Sequence, residues 1–190
     1  MKKIRTLLYI ATLLMLVISA SADDGFSKAV PVDNDQPVIS TVSLHPDGKL
    51  LVTAGDDHVV RVWDLTSGVQ IKQLEGHSGW VRSSAFIPKT TQIVTAGDDG
   101  NVHLFDVASG ELKRKIITVD FAILRVAISP SGQTLALAGF SKDLRLVDIH
   151  SGNVIHSIDT QTDDIRAVAF SSAGKVVASG GRDGLIRLCA

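Results

Sequence analysis

The chain has 190 residues, of which 45% are hydrophobic and 21% charged, and its formal net charge is −1. That balance excludes a disordered chain and a wholly membrane-embedded one. With no basic excess, nucleic-acid binding is not expected. The single cysteine, Cys189, excludes an internal disulfide framework and any multi-cysteine metal site.

The first 22 residues differ from the rest. Lys2, Lys3 and Arg5 form a positive start, residues 7–18 form an apolar run broken only by Thr12, and Ala20-Ser21-Ala22 follows. A positive start, a short apolar middle and a small-x-small end predict a secretory signal peptide cleaved after Ala22. The chain is then exported, to a periplasm or to the medium. The alternative is an uncleaved N-terminal anchor, and it is the one expected route to a membrane. Its apolar run is short against the roughly 20 residues needed to span a bilayer. Cleavage removes three basic side chains and no acidic one, so the mature chain is more acidic. No cysteine follows the apolar run, so no lipid anchor is expected. Residues 23–36 read as a polar linker, in which Ala29-Val30-Pro31-Val32 could form a short edge strand, where proline is tolerated.

From Pro37 the chain repeats every 42 residues. The step links Pro46, Pro88 and Pro130; Gly55, Gly97, Gly139 and Gly181; and Asp64, Asp106 and Asp148, each followed by a Ser-Gly pair. A fixed period of this length means one supersecondary unit copied in series. The units run over about residues 37–76, 77–118, 119–160 and 161–190.

Each unit predicts the same strands in the same order. First strands fall at 39–44, 81–87, 123–129 and 165–171, mixing bulky residues with small Ser43, Ala85, Ala127 and Ala169. A crowded, buried strand needs that mixture. Turn signals such as Pro46-Asp47-Gly48 and Pro130-Ser131-Gly132 come next. Second strands follow at 49–54, 92–96, 134–138 and 175–179. Third strands, at 60–63, 102–105, 144–147 and 186–189, alternate strictly, with Val60 and Val62 on one face and Arg61 and Trp63 on the other. A weaker fourth strand appears at 69–74, 111–117 and 153–158. Four short antiparallel strands per unit make a propeller blade, so the fold class is all-β.

The phrase Thr53-Ala54-Gly55-Asp56-Asp57-His58-Val59-Val60-Arg61-Val62-Trp63-Asp64, with Gly76-His77 after it, resembles the WD40-repeat family of β-propellers. The resemblance covers roughly residues 37–190. It implies a hydrogen-bond network in each blade, joining a loop His, a hydroxyl on the second strand, a turn Asp and a third-strand Trp. Carried over, the first unit has Thr53, Asp57 and Trp63, with Asp35 in place of the His. The second has His77, Thr95 and Asp99, with Phe105 in place of the Trp. The third has lost the set (Val119, Leu137, Ser141, Val147). The fourth keeps Ser179 and Asp183 beside Gln161 and Cys189.

The fourth unit lacks an outer strand, and the 42-residue step from Asp148 lands on Ala190. The expectation is an open or partial propeller of about four blades, the last incomplete. Truncation is the favoured reading, and a composite propeller is the other. Open blade edges invite self-association.

No catalytic, metal or cofactor site is expected. Asp56-Asp57 and Asp98-Asp99 read as turns, one Asp serving the turn and its neighbour facing solvent, because a calcium loop needs six or more oxygens at defined spacing. The six histidines form no helical pair or zinc motif. By the resemblance, three positions per unit ring one face where partners dock: Val38, Trp80, Ala122 and Asp164; Ser40, Arg82, Leu124 and Arg166; Asp56, Asp98, Phe140 and Arg182. Trp80, Arg82, Phe140, Arg166 and Arg182 are the candidate docking residues, since Trp and Arg dominate binding hot spots. The alternative is that Trp80 and Phe140 cap the core. The expected function is a non-enzymatic scaffold for a protein or peptide partner. The alternative is that the blades form the N-terminal part of a larger exported enzyme or cofactor-binding protein.

Overall fold

The computed structural model describes residues 37–190. The expected signal peptide at 1–22, the expected linker at 23–36 and the expected edge strand at 29–32 lie outside the described residues. The rest forms four antiparallel sheets joined in sequence. The first holds β1 (Ile39–Leu44), β2 (Leu50–Gly55), β3 (Val60–Asp64) and β4 (Val69–Leu74). The second holds β5 (Val81–Phe86), β6 (Gln92–Gly97), β7 (Asn101–Asp106) and β8 (Glu111–Thr118). The third holds β9 (Ile123–Ile128), β10 (Thr134–Gly139), β11 (Asp143–Asp148) and β12 (Val154–Asp159). The fourth holds three strands, β13 (Ile165–Phe170), β14 (Val177–Gly181) and β15 (Ile186–Cys189).

These sheets are the blades of a propeller. Inner strands β1, β5, β9 and β13 lie side by side in that order. Hydroxyls lace them together: Ser40 Oγ donates to the Val81 carbonyl and Ser43 Oγ to the Ser84 carbonyl, each at 2.8 Å, and the Val126 N–H donates to Ser83 Oγ at 3.1 Å. The small residues of the first strands make that approach possible.

The core lies between blades rather than within them. Val52, Val60 and Val62 of blade 1 meet Val81, Ile93 and Phe105 of blade 2. Val94, Val102 and Leu104 meet Val126, Leu135 and Val147 of blade 3. Ala136, Ala138 and Leu144 meet Ile165 and Val177 of blade 4. Strand alternation therefore gives each blade two apolar faces, one for each neighbour.

The repeated Asp and Ser-Gly shape the turn into the fourth strand. Asp64 Oδ1 accepts from the Ser67 N–H at 2.7 Å and from its hydroxyl at 2.9 Å, and Asp148 repeats this with Ser151. The following Gly68, Gly110 and Gly152 all have positive φ.

The other repeated glycine has a different reason. A Cβ at Gly55, Gly97, Gly139 or Gly181 would collide with the carbonyl oxygen of Val38, Trp80, Ala122 or Asp164, respectively. At the same place every inner strand carries one extra residue. Val81 pairs with Gly97 and Ser83 with Ala96, so Arg82 bulges, and Ser40, Leu124 and Arg166 bulge likewise. Bulges bend a strand and re-aim a side chain, and here they do so four times at one end of the blades.

Candidate docking face

The twelve positions singled out in the sequence gather at that bulged end. The N–H groups of Asp56, Asp98, Phe140 and Arg182 donate to the carbonyls of Val38, Trp80, Ala122 and Asp164, at 2.9 to 3.2 Å. Each blade thus places its three positions within one backbone junction.

Blade 2 builds the most developed junction. Arg82 Nε donates to Asp98 Oδ1 at 2.8 Å and its Nη2 to Oδ2 at 2.6 Å, a two-pronged pair that fixes the guanidinium plane. The Arg82 Cζ lies 4.3 Å from the Trp80 ring centroid, in cation–π contact. Trp80 remains 39% exposed and Phe140 54% exposed. Neither caps the core.

In blade 4, Arg166 donates from Nε and Nη2 to the buried Asp164 carboxylate at 2.7 to 3.0 Å while its own side chain stays exposed. Arg182 is exposed on the neighbouring turn. The acids expected to face solvent are engaged instead. Asp98 holds Arg82, and Asp56 accepts the Val38 N–H at 2.8 Å.

Behind Trp80 lies the expected polar network. His77 Nδ1 sits 2.9 Å from Asp99 Oδ2, and its Nε2 sits 2.8 Å from Thr95 Oγ1. With the carboxylate accepting, Nδ1 carries the proton and Nε2 accepts from the Thr95 hydroxyl. Asp99 also accepts the N–H groups of Ser78 and Asn101, each at 3.0 Å. Burial would raise the Asp99 carboxyl, but those two N–H donors outweigh it and hold it below the ordinary range. Burial also depresses His77, against the pull of Asp99. The loop bearing Trp80 is thereby tied to the blade at His77 and Ser78, so the exposed indole stands on a fixed base.

The other blades divide the network differently. In blade 1, Trp63 Nε1 donates to Thr53 Oγ1 at 2.9 Å, as expected, but Asp57 pairs with Arg61 at 2.5 Å rather than joining them. In blade 4, Asp183 pairs with Arg187 at 2.6 Å rather than with the buried Ser179. Two sequence differences set blades 1 and 4 apart from blade 2: Asp35 and Gln161 replace the loop His, and an arginine stands on the third strand. Blades 1, 3 and 4 carry Arg61, Arg145 and Arg187 there, and blade 2 carries His103. Where Arg stands four residues after the turn Asp, it takes the carboxylate; where His103 stands, Asp99 is left for His77. In blade 3 the turn residue is Ser141, and Arg145 reaches Asp120 at 3.2 Å instead. The lost set there is apolar, and Val119, Leu137 and Val147 join the core.

Sequence reasoning passed over His103. Its ring stacks on His77 with centroids 4.4 Å apart, its Nδ1 is buried without a partner, and burial pushes it down to about 4. The signal that points to it is the repeat step, which puts Arg61, Arg145 and Arg187 in the other units where this one carries His103.

Residues 31–64, 68–106 and 152–189, more than half of the chain, match the family described as WD domain, G-beta repeat. Residues 107–151, between the second and third matches, hold β8 of blade 2 and the first three strands of blade 3, where the polar set is gone. Nuclear distribution protein nudF 1 of Talaromyces marneffei is 46% identical over 44 residues, 23% of this chain and 10% of that protein. WD repeat and SOCS box-containing protein 1 of Homo sapiens is 45% identical over 56 residues, 28% of this chain and 13% of that protein. Probable serine/threonine-protein kinase PkwA of Thermomonospora curvata is 38% identical over 63 residues, 30% of this chain and 8% of that protein. The similarity thus spans about a tenth of each relative's length. Sheet anatomy, repeat period and family match agree: the chain belongs to the WD40-repeat family.

Proposed function

We propose that the protein is a non-enzymatic, exported scaffold that binds a protein or peptide partner on the bulged end of its blades, through Trp80, Arg82, Phe140, Arg166 and Arg182. One observation carries this reading: the Trp80 ring is partly exposed yet locked between a tied loop and the Arg82 guanidinium. A rigid aromatic anchor loses little side-chain freedom on binding. Phe140 offers a second exposed aromatic, and the paired Arg82 and Arg166 present charge in fixed orientation. Export is supported by the positive start, apolar run and small-residue site of residues 1–22. The kinase relative matches this chain over 63 residues, only 8% of its own length, so it lends no support to a catalytic role for these blades.

The test is affinity capture with the purified chain as bait, repeated with Trp80→Ala, Arg82→Ala and Phe140→Ala, and with Lys89→Ala at the opposite end as control. Loss of the same captured protein from the first three and its retention by the control is expected. Unchanged capture by all variants contradicts the docking face.

A further inference from the structure

The 42-residue step places Thr41, Ser83, Arg125 and Ala167 at one position, the residue after the bulge on each inner strand. On the first two strands that position ties one blade to the next. Thr41 Oγ1 accepts the Ser84 N–H, and Ser83 Oγ accepts the Val126 N–H, each at 3.1 Å. Arg125 cannot do this, because a guanidinium donates and has no lone pair to offer. The equivalent N–H, that of Val168, gets no acceptor from it. Blade 3 gives up a tie between inner strands at this position and carries a charge instead.

The Arg125 side chain is exposed and reaches the bulged end. Its Nη1 donates to the Leu124 carbonyl at 2.7 Å and to the Arg82 carbonyl at 3.3 Å. Both carbonyls belong to bulge residues, so the guanidinium lies beside Arg82 at the inner edge of the docking face. The two hydrogens of Nη1 are spent on these bonds. The edge formed by Nε and Nη2 has no acceptor among the described residues. That is the edge with which Arg82 grips Asp98 and Arg166 grips Asp164. Those two arginines already hold a carboxylate of this chain, and Arg125 holds none among the described residues.

We propose that Arg125 is the acid-recognising residue of the docking face, and that its Nε and Nη2 take the carboxylate of an Asp or Glu side chain on a peptide segment of the protein partner. This rests on the docking-face reading above. Three considerations select that ligand. A guanidinium edge with two parallel donors matches a planar carboxylate. The two carbonyls on Nη1 hold the edge in one orientation, so little side-chain freedom is lost on binding. Arg82 joins this point to the aromatic anchor, with its carbonyl against Arg125 and its guanidinium against the Trp80 ring. A segment that places an apolar side chain on Trp80 and an acid on Arg125 fits both. The bulge residues and their successors on the four inner strands include Arg82, Arg125 and Arg166 and no acid, so nothing on those strands repels the incoming carboxylate.

A phage-displayed library of random peptides, selected on the immobilised full chain, supplies the probes. The selected peptides are expected to share an Asp or Glu at one position. Replacing it with Asn or Gln is expected to weaken binding about tenfold or more. In the Arg125→Thr chain, the acidic peptide is expected to bind no better than its Asn or Gln form. Arg125→Thr also installs the hydroxyl found at Thr41, so its urea midpoint is expected to hold or rise while binding falls, which a merely structural role would not produce. If that variant loses the strand signature in circular dichroism, Arg125→Gln takes its place. Peptides without a shared acid, or an acid whose replacement costs the same in the parent and the variant, would overturn the proposal. If such peptides still lose binding to Trp80→Ala, the docking face stands and only the role of Arg125 falls. Peptides indifferent to both Trp80→Ala and Arg125→Thr, or a library that yields no binder, would overturn both.

Discussion

The carbonyl oxygen of Trp80 occupies the space that a side chain at Gly97 would need. The same conflict recurs at Gly55, Gly139 and Gly181, which explains why the 42-residue step keeps glycine there. Gly97→Ala is expected to cost about 2 kcal/mol by forcing the junction apart, and to shift the fluorescence of Trp80 because the displaced backbone carries it. Gly180→Ala, where an added Cβ meets nothing closer than 3.8 Å, is the matched control. Denaturant unfolding compares the two.

The His77 to Asp99 pair governs the loop that carries the indole. His77→Ala is expected to destabilise the chain by about 2–3 kcal/mol, because it strands a buried carboxylate. Hydrogen exchange of the Ser78 and Trp80 amides should rise in that variant. Unchanged protection would mean that the loop is held by other contacts.

Acid sensitivity follows from the two stacked histidines. The folded chain resists protonating His103 until about pH 4, whereas an ordinary imidazole titrates near 6.5. Between those values the unfolded chain binds more protons, so this contribution is complete above about pH 6.5 and is lost as pH falls toward 4. His77 acts with the same sign. His45 opposes it: the Thr90 carbonyl and Asp47 outweigh burial there and raise it. Urea midpoints measured from pH 7 to pH 4.5 are expected to fall, and His103→Phe should flatten the curve. A curve of equal slope in that variant would assign the sensitivity elsewhere.

Arg82 is expected to matter more for binding than for folding. Its pair with Asp98 is partly exposed, so Arg82→Ala should cost under about 1 kcal/mol of stability. Freed from the guanidinium, Trp80 should emit at longer wavelength when measured in a Trp63→Phe background. Arg82→Lys should not restore the parent spectrum, since an ammonium cannot make the two-pronged pair that holds the cation over the ring.

Much of the fold was legible because it repeats. The alternation of Val60, Arg61, Val62 and Trp63 gave the blade faces, and the count of three strands in the last unit matches its sheet. The bulges at Ser40, Arg82, Leu124 and Arg166 were not legible, because one extra residue in a strand changes register without changing composition. The carboxylate half of the network was legible only where no arginine competed for the turn Asp, whereas the hydroxyl-to-indole half formed in blade 1 beside Arg61. Thr53 with Trp63, and His77 with Thr95 and Asp99, formed as their residue types demand. Asp57 and Asp183 went to Arg61 and Arg187 because their blades have no loop His and the adjacent guanidinium offers the carboxylate a charged partner. Asp98 was misplaced for the same reason, since the bulge that aims Arg82 at it cannot be seen in a linear pattern.

The most direct measurement is the affinity of a captured partner for variants at the two ends of the blades. Trp80→Ala and Arg82→Ala, at the bulged end, are expected to weaken binding about tenfold or more each. Asp47→Ala and Lys89→Ala, in the hairpin turns at the other end, should leave it unchanged. Full affinity in the first pair with loss in the second would contradict the docking face.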